Sequence, residues 1–237
     1  MSEDQKTIDN SFNGMAALII SPIETNEFID KILAKIGSEY EPEQVPVKIE
    51  PYAKIHNCYI DVEQKVKLEG GSIHFGWAIF QTDILCEAEH HAVYELENGD
   101  LIDISPREFP FESIMFVPDN KAKYTGQSID NVRINITENV VVDDFILICE
   151  CVEKLYSYGN RINDEQLNLP EFIFQLIKQY EDLKISYLTF IRNGGRYNTT
   201  CFCGSPKNYN NCHGKSLRDG IKKEMLSIKK QIRNSQK

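Results

Sequence analysis

Four apolar runs decide the fold: SIHFGWAIFQ (72–81), ILCEAEHHAVYEL (84–96), DLIDIS (100–105) and SIMFVP (113–118). Each is rich in β-branched and aromatic residues and ends near Gly, Asp, Asn or Pro, which marks the strands of an antiparallel meander. The turn Glu97-Asn98-Gly99 closes in one of two ways. A two-residue Asn-Gly turn puts Asp103 on the face of His90. A three-residue loop with Gly99 left-handed sets Leu96 opposite Asp100 and puts Asp103 on the face of His91. The second register sorts polarity better. One face then carries Cys86, Ala88, His90, Ala92, Tyr94, Ile102 and Ile104. The other carries Glu87, Glu89, His91, Val93, Glu95, Leu101, Asp103 and Ser105. The pattern therefore favours His91 beside Asp103 and sends His90 into the core as a neutral, hydrogen-bonded histidine.

Helical periodicity flanks these strands. Ser21-Pro22-Ile23-Glu24 has the form of a capping box with proline at the first helical position. The helix it opens runs to Ile36, with Gly37 as its stop. Before it, residues 1–14 read as a disordered or loosely attached start, and Met15–Ile20 as a buried strand or the opening of a helix. Val45–Ile49 alternates as a short strand closed by Pro51, and Asn57 caps a helix to Glu69 that Gly70-Gly71 ends. Two longer helices are expected at Asp143–Tyr156 and from Pro170 to Arg192. The class is α+β, an antiparallel sheet flanked by helices.

The chain has 237 residues, 41% hydrophobic and 26% charged, which suits a globular protein and excludes wholesale disorder. No apolar run approaches the ~18 residues that span a bilayer. The polar, acidic opening MSEDQKTIDNSF lacks the form of a secretory signal. Seven cysteines with no export signal point to a reducing, cytoplasmic setting, where thiols serve metals or chemistry. The net charge of −10 is uneven: residues 215–237 carry eight basic and two acidic side chains, +6, against −16 for the rest. A basic tail on an acidic body suits an acidic protein or nucleic acid as partner. In that tail Leu217, Ile221, Met225, Ile228 and Ile232 form an apolar stripe, which favours packing on the protein's own body. Ser216-Leu217-Arg218-Asp219 reads as the cap of this helix.

Cys201, Cys203, Cys212 and His213 offer three thiols and an imidazole within thirteen residues, the composition of a tetrahedral Cys₃His zinc set. Soft thiolates favour Zn²⁺ over calcium or magnesium, and so small and polar a segment needs the metal to fold. The run Arg196-Tyr197-Asn198 through Gly214, with CFCGS, Lys207, Tyr209 and CHG, resembles the SEC-C motif, the zinc module at the C-terminus of the preprotein translocase ATPase. The resemblance covers about twenty residues; Pro206 stands where that family usually has Gly, and all four ligand positions are kept. It implies zinc at Cys201, Cys203, Cys212 and His213 and a docking role. A closed four-ligand site, with no position open to substrate, agrees. The organisation expected is an α+β domain over 1–195, a zinc module over 196–215 and a basic amphipathic tail over 216–237.

A second constellation carries chemistry of another class. Cys58 follows a helix cap, and a thiol at a helix N-terminus is favoured as the thiolate. His91 on a neighbouring strand supplies a base and Asp103 on the next an orienting carboxylate. The order Cys, His, Asp resembles the transglutaminase-like and papain-like cores, which implies a thiol hydrolase or acyl transferase acting on amide bonds. The stretch GGSIHFGWAIFQ…EAEHHAVYELENGDLIDISP also resembles an uncharacterised bacterial and phage family often joined to SEC-C modules. His56 and His74 stay open as alternative bases for Cys58. Trp77 and Cys86 read as core, and Cys149 and Cys151, two apart on a helix, point different ways and make poor partners for one metal. Two functions follow: a zinc protein that docks an acidic partner, and a Cys-His-Asp thiol enzyme.

Overall fold

The computed structural model describes residues 19–121, 124, 126–127, 129–161 and 167–235. The readings for residues 1–14 and for most of Met15–Ile20 lie outside these; Ile20 itself forms an isolated bridge to Gln81. The architecture is α+β, with five helices and a six-stranded antiparallel sheet among the described residues.

Strands β1 (Glu43–Pro46), β2 (Ser72–Gln81), β3 (Leu85–Glu95), β4 (Leu101–Ile102) and β5 (Ser113–Pro118) stand in the order β1-β5-β2-β3-β4. Strand β6 (Val132–Asn135) pairs with the first half of β3. The order therefore follows the chain from β2 to β4, after which β5 returns to the far edge of β2. The β3–β4 connection takes the three-residue form: Leu96 N donates to Asp100 O at 2.9 Å, and Gly99 sits at φ 90°. Tyr94 faces Ile102 across it, the register that polarity favoured.

Helix α1 (Glu27–Ile36) begins later than the Ser21-Pro22 signal suggested. The Asn26 side chain accepts from the Phe28 and Ile29 amides and caps it instead. The Ser21 hydroxyl is committed elsewhere, donating to Ile79 O and accepting from Met115 N, so it ties the entering chain to the sheet. Ile29 and Ile32 of α1 bury against Trp77, Ile79, Cys86 and Ala88, and Gly37 ends the helix at φ 66°. Helix α2 (Cys58–Glu69) covers the same sheet face lower down, with Val62 against Ala92, Tyr94 and Ile104. Asn57 precedes α2 as expected, but its side chain makes no cap bond.

Helices α3 (Val140–Tyr156), α4 (Glu171–Arg192) and α5 (His213–Ser235) form a second layer, with a short pair of strands, β7 (Asn160–Arg161) and β8 (Leu167–Asn168), between α3 and α4. Asn139 caps α3 through Val141 N, so the helix starts at Val140, three residues before the expected Asp143. Leu217, Ile221 and Ile228 of α5 are buried in the same cluster as α3, α4 and Cys201, so the apolar stripe of the tail is spent on the protein's own body. The helix starts at His213, ahead of the Ser216 cap; Ser216 Oγ instead donates back to Cys212 O and His213 O.

Candidate functional site

The C-terminal cluster is built on a tight knuckle. Cys201 N donates to Lys207 O at 3.0 Å and Tyr209 N to Thr199 O at 2.8 Å, while Gly204 turns between them at φ 78°. This brings the ligand atoms of Cys201, Cys203, Cys212 and His213 within 4.8 Å of one another. Cys201 Sγ lies 3.2 Å from His213 Nδ1, Cys212 Sγ 3.6 Å from the same nitrogen, and Cys203 Sγ 3.6 Å from Cys212 Sγ. A tetrahedral ion with bonds of about 2.3 Å to sulfur and about 2.1 Å to nitrogen sets edges of about 3.5–3.8 Å. Three of the six donor pairs stand near that spacing and the rest within 4.8 Å, so the set can hold a metal ion. The Ser205 hydroxyl and amide pull the Cys203 thiol down to about 6, which suits a thiolate ligand.

Behind the knuckle, Tyr209 is fully buried and its hydroxyl donates to Asp144 Oδ2 at 2.6 Å. Arg218 Nε of α5 donates to the other oxygen of Asp144 at 3.0 Å. One buried carboxylate on α3 therefore pins both the knuckle and the helix that follows. Sequence reading missed Asp144, although its spacing from Val141 and Ile148 puts it on the buried stripe of α3, where a carboxylate needs partners.

The second constellation lies on the sheet. The free edge of β3 is paired by β6 only at residues 85–88 and by β4 only at 94–95. The N-terminus of α2 sits beside the interval. Tyr59 Oη donates to His90 O at 2.8 Å and lies 2.7 Å from His90 Nδ1, so His90 is a buried, hydrogen-bonded core residue. His91, on the opposite face, is 2% exposed, and its Nε2 lies 3.0 Å from Oδ1 of the fully buried Asp103. Ser105 N donates to the same oxygen at 3.0 Å, and Arg107 Nη1 donates to Asp103 Oδ2 at 2.5 Å. Burial opposes charge on the imidazole, but Asp103 and Cys58 outweigh it and raise His91 to about 10; the same ring and Arg107 hold Asp103 well below the usual carboxylate range.

A cavity of about 220 Å³ opens beside this pair. Cys58, the first residue of α2, lines it together with His91, Ser105 and Arg107. Cys58 is itself buried. Two buried polar atoms in this lining, His91 Nδ1 and Ser105 Oγ, have no hydrogen-bond partner among the described residues. His56 lines the same cavity from a left-handed backbone at φ 66°, whereas His74 is drawn to Glu95 at 3.3 Å. Opposite His91 stands Gly76, where a Cβ would meet the Phe116 ring at 2.5 Å. Arg107 gave no sequence signal, because the Ser105-Pro106 bend that swings it over Asp103 has no periodicity. The remaining cysteines are structural: burial pushes Cys86 up to about 12, Cys149 to about 11 and Cys151 to about 12. Trp77 is buried with its Nε1 donating to Asp119.

The fold and its sites thus define an α+β protein with a C-terminal Cys₃His cluster able to hold a metal ion and no described helix long and apolar enough to cross a membrane. No protein-family model matches the chain, no curated protein matches its sequence, and no solved structure matches its fold.

Proposed function

We propose that the protein is a thiol hydrolase or acyl transferase acting on amide bonds, with Cys58 as nucleophile, His91 as general acid and base, and Asp103 as the orienting carboxylate. The observation that carries this reading is the orphaned Nδ1 of His91. The ring is buried, its Nε2 is fixed by Asp103, and it lines one cavity with a thiol at a helix N-terminus. An imidazolium held by Asp103 stabilises a thiolate beside it. The Cys58 thiolate adds to the amide carbon, and the C–N bond breaks as His91 Nδ1 gives its proton to the leaving amine. Water or a second amine then attacks the thioester, gives its proton to His91, and frees the Cys58 sulfur.

The test is the rate at which iodoacetamide alkylates Cys58 at pH 6.5, read by peptide mass spectrometry on the metal-loaded protein. His91→Ala should slow it at least about tenfold, as expected when a thiolate loses its ion-pair partner. Cys58→Ala should leave the urea midpoint nearly unchanged. A Cys58 that reacts equally in wild type and His91→Ala removes the nucleophile from this reading.

The metal is zinc in this reading, bound by Cys201, Cys203, Cys212 and His213 as a closed structural site with no catalytic step. One zinc per chain by elemental analysis is the expected outcome; a folded protein without metal, unchanged by a strong chelator, refutes it.

A second reading rests on α5. Its apolar stripe is buried at home, and Lys222, Lys223, Lys229 and Lys230 are exposed. This basic face would dock an acidic protein or nucleic acid. Polyglutamate and a single-stranded oligonucleotide are the probes, with affinity that falls as salt rises.

A further inference from the structure

The cavity beside Cys58 also carries information about what enters it, and the argument here rests on the thiol-enzyme reading above. Its volume of about 220 Å³ is below the about 300–1,000 Å³ of ordinary ligand sites, so it takes one arm of a substrate. Most of the wall is apolar: Ile55, Phe80, Leu85, Phe109 and Phe111.

Three carboxylates stand in the wall; Glu87 and Glu108 each have a partner of their own, and Glu89 has none among the described residues. Arg107 is committed to Asp103 and to Ser105 O, and stands 3.2 Å from His91 Nε2. It is not available to an anionic ligand. Glu87 is neutralised by Arg133 at 2.6 Å and accepts from Asn131. Glu89 lies between Glu87 and His91 on the same face of β3, half-buried, and has no hydrogen-bond or ion-pair partner among the described residues. A carboxylate taken half out of water beside aromatic rings costs free energy unless a cation meets it. The orphaned His91 Nδ1 and Ser105 Oγ, both buried in this wall, are the second sign that the cavity is shaped for an occupant that brings polar groups.

An apolar slot with one uncompensated carboxylate matches an aliphatic stem ending in a cation, the form of a lysine or arginine side chain. We infer that the cavity selects acyl substrates bearing a basic arm, a primary ammonium or guanidinium at the end of an aliphatic stem, with Glu89 as the residue that receives the charge. Peptide amides with a basic side chain next to the scissile bond are the substrate class.

The test needs no natural substrate. Three chloroacetamides of equal intrinsic reactivity, with 5-aminopentyl, pentyl and 5-carboxypentyl arms, are presented to the metal-loaded full chain. Each alkylates by forming the sulfur–carbon bond at Cys58 as chloride leaves. The expected order at Cys58 is cation, neutral, anion, with cation over anion by on the order of tenfold at low salt. Glu89→Gln should erase most of that ratio while leaving the rate of the neutral reagent within about twofold. Equal rates for the three reagents overturn the inference and leave the nucleophile intact. A ratio unchanged in Glu89→Gln overturns the role of Glu89. No reaction at Cys58 with any reagent overturns both the inference and the thiol-enzyme reading.

Discussion

Replacing Asp103 by Asn isolates the interaction on which the sheet site depends. In the folded protein His91 titrates at about 10 against an ordinary 6.5. Removing one partner of a buried ion pair costs about 3–5 kcal/mol. A folded pKa raised above the unfolded one stabilises fully below pH 6.5 and loses that contribution as pH rises towards 10. Asp103, held low, contributes above its ordinary range and loses it only in acid. Wild type should therefore lose stability between pH 6.5 and 10, and Asp103→Asn, lower by about 3–5 kcal/mol at pH 6, should be nearly flat across that window. Without the carboxylate, Arg107 stands 3.2 Å from an imidazole that has lost the larger of its two anionic supports, so the His91 pKa falls. Urea unfolding at pH 6, 8 and 9.5 gives the stabilities, and imidazole proton shifts in NMR report the ring directly. Parallel stability curves for the two proteins, or a His91 titration unmoved by the substitution, would refute the reasoning.

Two other substitutions test the supports of the sites. Tyr209→Phe takes one donor from the buried Asp144 carboxylate and should lower stability by about 1–3 kcal/mol, seen as a lower urea midpoint of the metal-loaded protein; an unchanged midpoint would mean Arg218 alone satisfies Asp144. Gly76→Ala drives a Cβ to 2.3 Å from Val117 O and 2.5 Å from the Phe116 ring, which should cost about 1–3 kcal/mol and lower Tm; a Tm equal to wild type would show that β2 and β5 can part without penalty.

The parts of this fold that were legible in sequence are those set by local chemistry. Glu97-Asn98-Gly99 fixes a loop length, the loop length fixes parity, and parity alone brings His91 to Asp103 twelve residues away. The Cys₃His cluster was legible for the same reason, since its four ligands fall within thirteen residues. Long-range pairings were not. The return of β5 to β2 and the pairing of β6 with β3 depend on which edges remain open after the other strands have paired. At Ser21-Pro22 a plausible cap was overridden because the Ser21 hydroxyl had better partners at Ile79 and Met115, fifty-eight and ninety-four residues away. Arg107 escaped notice because a side chain on a bend carries no period.

The metal cluster and the sheet site are joined through the start of β3. Leu85 is buried in the helical cluster that includes Cys201, Tyr209 and the stripe of α5, and it also lines the cavity beside Cys58. Arg133 bridges Glu87 of β3 to Glu153 of α3 at 2.6 Å each, and Arg192 at the end of α4 grips Asp83 with two bonds of 2.8 Å. Asn139, the cap of α3, donates to Gly195 O at the entry to the segment that carries the Cys₃His cluster. The strand that carries Glu87, Glu89 and His91 is thus fixed at one end by helices whose own packing depends on the knuckle. A structural metal in this arrangement needs no contact with substrate to matter for chemistry. By holding α5 and Tyr209 against α3, a metal bound there would set where Leu85 and Glu87 stand, and through them one wall of the cavity that Cys58 and His91 line.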